Sequence, residues 1–237
     1  MHKLKLEFEL ENNIVDNNLN IAFASFLKQS LEMYDNNLYQ SMFVDKCKHI
    51  KNYCYCLKMR PMKREKGKIF LDDNKYVVEL TSLDFNELIT FYNMFLLKCK
   101  GNDSFSLNQN SMKLKRVWLL PYIPKLSNHV IIKMQSPLVV RNYTDNGQEY
   151  LSVEEENFED ALNKIVNRFL NDVSINEEVQ IKSLKSKKTV MNLFRFKANA
   201  SLGIFEIKGS LKAISALSMS GIGSCRGAGA GMFKIIG

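Results

Sequence analysis

Three groups of residues in this 237-residue chain have the types and spacing to act on a phosphate. The first is Gly221-Ile-Gly-Ser-Cys-Arg-Gly-Ala-Gly-Ala-Gly231, which holds five of the eleven glycines. Glycine permits positive φ and close approach of another backbone because it lacks a Cβ. Successive N–H groups in such a loop can cradle phosphate oxygens, and Arg226 adds a planar cationic fork. A tight turn with no ligand is the competing reading. The second group is Lys46-Cys-Lys-His-Ile-Lys51, in which His49 stands among cations. Imidazole titrates near neutrality, and neighbouring cations both favour its neutral form and attract phosphate. The third group is Lys182, Lys185, Lys187 and Lys188. The wider basic run over 46–68 sets nine Lys and Arg side chains against one acid, Glu65.

Residues of these types can act on a phosphate by holding the reacting oxygens in line and stabilising developing negative charge. A group with pKa near neutrality can move the protons. Of the three histidines, His2 is terminal, and His129 opens a strand with a structural or solvent-facing role. His49 is the candidate.

Other chemistries are excluded. A P-loop needs Gly-x4-Gly-Lys-Ser/Thr, and no Lys-Ser/Thr follows a glycine here. A dinucleotide fingerprint needs a following helix and a later acidic residue, and only six residues follow Gly231, so no cofactor is expected. Five cysteines without a framework pattern predict free thiols. The Cys47, His49, Cys54, Cys56 group lacks zinc-knuckle spacing, and no metal is expected. No apolar run reaches membrane-spanning length and the first residues lack a signal-peptide core, which predicts a cytoplasmic protein. A formal charge of +8 favours an anionic partner such as nucleic acid.

The elements that must position these groups read as two similar halves. Residues 2–10 alternate as a strand, Leu19 to Met33 forms a helix, and 50–59 and 68–80 are strands joined by a turn over 60–67. Asp84 to Lys98 is a helix with Ser82 or Asp84 as N-cap, and a strand covers 112–120. The second half repeats the order: strand 129–140, helix 153–171, strands 177–184 and 188–207, helix 210–219 and strand 231–236. The four lysines fall at the tip of a hairpin over 177–196. Two tandem ferredoxin-like β-α-β-β-α-β domains of the α+β class are expected, over 1–118 and 119–237. The glycine loop joins the last helix to the last strand.

The pattern Gly-hydrophobic-Gly, five residues with a basic one among them, then Gly-hydrophobic-Gly resembles the C-terminal signature of one family. These are the CRISPR-associated endoribonucleases of the Cas-six family, within the repeat-associated RNA-binding superfamily. Gly221, Gly223, Gly229 and Gly231 match the glycine positions and Arg226 the basic one. Val130 to Val140 and Phe205-Glu-Ile-Lys-Gly209 also match, and the resemblance is collinear over 1–115.

The resemblance implies a metal-independent cut within repeats of precursor CRISPR RNA, giving 5′-hydroxyl and 2′,3′-cyclic phosphate ends. It places Lys51 at a pre-strand catalytic position and Lys28 at one on the first helix. His49 lies a few residues beyond the family's usual histidine, whose counterpart here is Asp45. Gly221, Gly223, Ser224, Arg226, Gly229 and Gly231 would hold the strand near the cut, with Lys182, Lys185, Lys187 and Lys188 on RNA phosphates. CRISPR repeat RNA is the implied partner, with other CRISPR effector subunits and a second copy of the chain as further ones. The alternative is a non-catalytic RNA-binding subunit of a CRISPR effector complex.

Overall fold

The computed structural model describes residues 1–45, 50–144, 147–194 and 196–237. They form two compact units. One comprises Cys56–Tyr122 and the described part of Met1–His49, and the other comprises Ile50–Tyr55 and Ile123–Gly237.

In the first unit, strand β1 (His2–Leu10) buries Leu4, Leu6, Phe8 and Leu10, as its alternation demands. There follow β2 (Ile14–Asp16), α1 (Leu19–Tyr34) and the short α2 (Asn36–Tyr39), which continues as one π-helical turn, Gln40–Val44. Strands β3 (Tyr53–Lys58, of which Tyr53–Tyr55 belong to the second unit), β4 (Pro61–Glu65), β5 (Lys68–Leu71) and β6 (Lys75–Ser82) lead to α3 (Phe85–Gly101). Asp84 caps α3, its carboxylate accepting from the N–H groups of Asn86 at 2.8 Å and Glu87 at 3.4 Å. Strands β7 (Ser104–Leu107) and β8 (Asn110–Pro121) complete the unit.

The main sheet runs β3-β6-β1-β8-β7, and a small sheet runs β2-β5-β4. Phe8 lies edge-on to Phe23 and Phe26 and stacks on Tyr76 with centroids 4.9 Å apart. Burial of each such ring contributes about 2–3 kcal/mol. The turn expected over 60–67 is instead edge strand β4, paired with β5. All five of its residues are exposed, so no alternation betrays it, and a proline can open an edge strand because its missing N–H faces solvent.

The second unit contains β9 (His129–Met134), β10 (Val140–Thr144), β11 (Gly147–Leu151), α4 (Phe158–Asp172), β12 (Gln180–Leu193), β13 (Phe196–Lys208), α5 (Leu211–Ser220) and β14 (Phe233–Ile235). Its sheet runs β12-β13-β9-β14. This is the same second-third-first-fourth order as β3-β6-β1-β8, so each unit is ferredoxin-like, as expected.

Three details depart from expectation. The strand expected over 129–140 stops at Met134, and Pro137 separates it from a new hairpin, β10–β11. Helix α4 begins at Phe158 because Glu155 folds back onto Ser152, bonding its N–H and hydroxyl at 2.6 Å each. The lysines are not at a hairpin tip. Strand β12 runs unbroken apart from one bulge, pairing Lys182 with Glu206 and Lys188 with Ser201, so they lie mid-strand. Polar residues on this edge strand look like a turn, yet charge along an exposed edge is how a sheet avoids pairing with other chains.

Candidate nucleic-acid interface

The glycine loop closes on itself and on neighbouring strands. Gly221 ends α5, its N–H donating to the Leu217 carbonyl at 2.8 Å. Ile222 N–H donates to the Gly231 carbonyl, and Gly231 N–H to that of Pro137 at 2.9 Å. Ser224 N–H donates to the Val139 carbonyl at 2.7 Å, and Gly223 lies against Leu138 and Val139. Within the 3-10 turn Arg226–Ala228, Ala228 N–H bonds the Cys225 carbonyl and Gly229 N–H that of Arg226. Most of the amides expected to cradle phosphate are therefore engaged in holding the loop's shape. Beneath the loop, Ala228 and Ala230 join Val139, Met191, Leu193, Ala198 and Ala200 in a buried cluster.

The shape grips the segment Ile50–Tyr55. Gly227 sits so close that a Cβ would lie 2.8 Å from Lys51 Cδ and 3.1 Å from Tyr53 Oη. Gly229 has φ +89°, and a Cβ there would lie 2.7 Å from the Tyr55 ring. At Gly229, therefore, glycine is required by space as well as by backbone conformation. Arg226 adds a bond, its Nη2 donating to the Lys51 carbonyl at 3.1 Å across 175 positions of sequence. Its guanidinium lies 3.7 Å from the centroid of the Phe169 ring. Burial lowers its pKa to about 10, which leaves it charged at neutral pH. Arg226 thus faces inward, tying loop, α4 and the Lys51 segment together, rather than projecting as a free fork.

The other expected site residues are dispersed. Lys28 lies on α1 in the first unit, partly buried, its Nζ 5.1 Å from the Phe43 ring. His49 lies outside the described residues. Lys182, Lys185 and Lys187 are exposed along β12, whereas Lys188 pairs with Glu154 at 3.4 Å. His129 opens β9 and holds the Glu206 carboxylate at 2.6 Å, in line with its structural reading. The four described cysteines are free thiols.

One part of this surface went unread in the sequence. On β10–β11, Arg141 Nη1 donates to Tyr143 Oη at 3.2 Å, and the Arg141 guanidinium lies 5.6 Å from the Tyr150 ring. Its Nη2 reaches the Sγ of Cys225 in the glycine loop at 3.6 Å. Burial pushes the Cys225 thiol up, so it stays protonated at neutral pH. Asn146-Gly147, a dipeptide that favours two-residue hairpin turns, was the available signal.

Residues 121–235 match the family model for the C-terminal region of CRISPR-associated protein Cas6. No curated protein matches the sequence. The fold is similar to that of a solved RAMP protein binding different RNA substrates, at TM-score 0.82 and 18% identity over 100% of both chains. It is similar to the product of a Cas6-related gene from Pyrococcus furiosus, at TM-score 0.82 and 18% identity over 99% of this chain and 98% of that one. A solved CRISPR-associated protein Cas6 is similar at TM-score 0.78 and 17% identity, over 100% and 99% of the two chains. No helix among the described residues is long and apolar enough to cross a membrane.

Proposed function

We propose that this chain, whose residues 121–235 match the Cas6 C-terminal family model, is a CRISPR-associated Cas6 protein that binds precursor CRISPR RNA and cuts it within the repeats. The observation that carries this is the grip of the C-terminal loop on Lys51, through the Arg226 bond to its carbonyl and the close approach of Gly227. A loop that bonds a lysine's backbone carbonyl and lies against its side chain limits where its ammonium can reach. Fixed charge aimed at a reacting phosphate costs no reorganisation during the reaction.

The 2′-OH attacks the adjacent phosphorus, the P–O5′ bond breaks, and the products are a 2′,3′-cyclic phosphate and a 5′-hydroxyl. Lys51 stabilises charge on the non-bridging oxygens, Lys28 is the second cation of the reaction, and His49 moves the proton. No metal takes part. The exposed lysines of β12 hold RNA phosphates, so binding weakens as salt rises.

The test is incubation of the protein with labelled repeat RNA in excess EDTA, beside the same RNA carrying a 2′-deoxy at the cut. Cleavage of the first alone is expected. Tight binding without cleavage of either would overturn the catalytic reading and leave an RNA-holding subunit.

A further inference from the structure

Beside the Cys225 side of the glycine loop lies a line of planar side chains that the cleavage chemistry does not use. Tyr143 stands 69% exposed on β10, its hydroxyl accepting from Arg141. The Arg141 guanidinium faces Tyr150, and the Tyr150 ring lies 5.2 Å from that of Phe196 at the start of β13. Phe196 is 45% exposed. Two rings therefore remain open to solvent although each is anchored by planar neighbours. The guanidinium between them is held on three sides, by a hydroxyl, a ring and the Cys225 thiol.

We propose that Tyr143, Arg141, Tyr150 and Phe196 form a stacking platform for unpaired bases of RNA entering or leaving the glycine loop. Three properties favour RNA over an apolar protein partner. A permanently charged guanidinium lies in the middle of the patch, where an apolar partner would have to desolvate it uncompensated. Guanidinium and aromatic planes both accept the π-face of any base. Lys197, exposed and next to Phe196 on β13, adds phosphate-binding charge beside the rings. Paired RNA keeps its bases inside the helix, so the platform selects single strands. This rests on the reading of the protein as RNA-binding and adds the conformation that the RNA adopts there.

The test uses the full-length protein and a twelve-nucleotide single-stranded oligoadenylate carrying one 2-aminopurine, beside a blunt RNA duplex of equal length. Cleavage of repeat RNA in EDTA is followed in parallel. Binding of the single strand is expected to quench 2-aminopurine. Tyr143→Ala and Phe196→Ala should abolish much of that quench and weaken single-strand binding roughly 5- to 100-fold. Duplex affinity should stay within about two-fold. Tyr143→Phe, which keeps the ring, should retain the quench. Unchanged quench and affinity in the alanine variants would overturn the platform while leaving repeat cleavage untouched. Equal loss on single strand and duplex would overturn it in favour of simple charge attraction, and a change in oligomeric state with RNA binding intact would assign the rings to protein contact. Lost quench in a protein that never cleaves repeat RNA would support the platform and sink the nuclease.

Discussion

Between α3 and β8 the first unit places Asn102, with φ +57°, and then strand β7, which pairs with β8 from Ser104↔Lys113 to Leu107↔Asn110. Between α5 and β14 the second unit places Gly221–Gly231, whose amides bond Pro137, Val139 and the loop itself. The strand order is the same in both, so the difference lies in what one connection is built to do. In the first unit it lengthens the sheet, and side chains there are exposed or half-buried. In the second it packs backbone against the side chains of another segment, which only residues without a Cβ permit. A connection that ends in a strand tolerates substitution; one that serves as a clamp does not.

The largest effect should come from removing what the clamp holds. Lys51→Ala is expected to lower single-turnover cleavage about 10²- to 10³-fold with RNA affinity little changed, the pattern for charge stabilisation lost in the transition state. An equal loss of affinity would make Lys51 a binding residue instead. Next in size is the clamp. Gly229→Ala meets both a positive φ and the Tyr55 ring, and should cost about 2–4 kcal/mol in chemical denaturation. A stable, active Gly229→Ala protein would show that the loop yields where its geometry says it does not.

The helices preceding the two connections differ as well. Ser210 caps α5, its hydroxyl accepting from the Ala213 N–H at 3.1 Å. Helix α3 buries Glu87 in its first turn, with the Ser82 hydroxyl donating to it at 2.7 Å. Burial pushes the Glu87 carboxyl up to about 7, reinforced by Asp84 and opposed by the Ser82 bond. A carboxyl raised in the folded state stabilises the protonated form, so this contribution is full below about 4.5 and lost as pH rises through about 7. It amounts to about 3 kcal/mol at most. Thermal unfolding at pH 5 and pH 8 should show the difference, and Glu87→Gln should flatten it. The smallest effect is expected in the first unit's connection. Asn102→Gly should change stability by well under about 1 kcal/mol, since glycine adopts that φ freely. A cost approaching that of Gly229→Ala would erase the contrast between the two connections.

What the sequence disclosed follows from how far each signal reaches. Apolar alternation in β1 and helical spacing in α1 and α3 are local and marked these elements within a few residues. Strand β4 carries no buried residue, and the hairpin β10–β11 buries little beyond its ends, so hydrophobic pattern could find neither. The glycines and Arg226 were visible, but their purpose was not. That Arg226 turns inward depends on Phe169 and on the Lys51 carbonyl, both distant in sequence. Resemblance supplied Lys51; no local pattern distinguishes it from its lysine neighbours. Arg141 and Tyr143 were missed because their meaning rests on Tyr150 and Cys225, brought close only by the fold.

The bond between Arg226 and the Lys51 carbonyl also has a consequence in time. Its two ends are 175 residues apart. A ribosome adding about 5–20 residues per second needs roughly 9–35 s to go from one to the other. Through that interval the nascent chain presents its Lys51 segment without the loop that holds it, and the first unit can fold while the clamp does not yet exist. Assembly of the site is therefore a late event in synthesis, and a chain interrupted anywhere before the final glycines carries the lysine without its support.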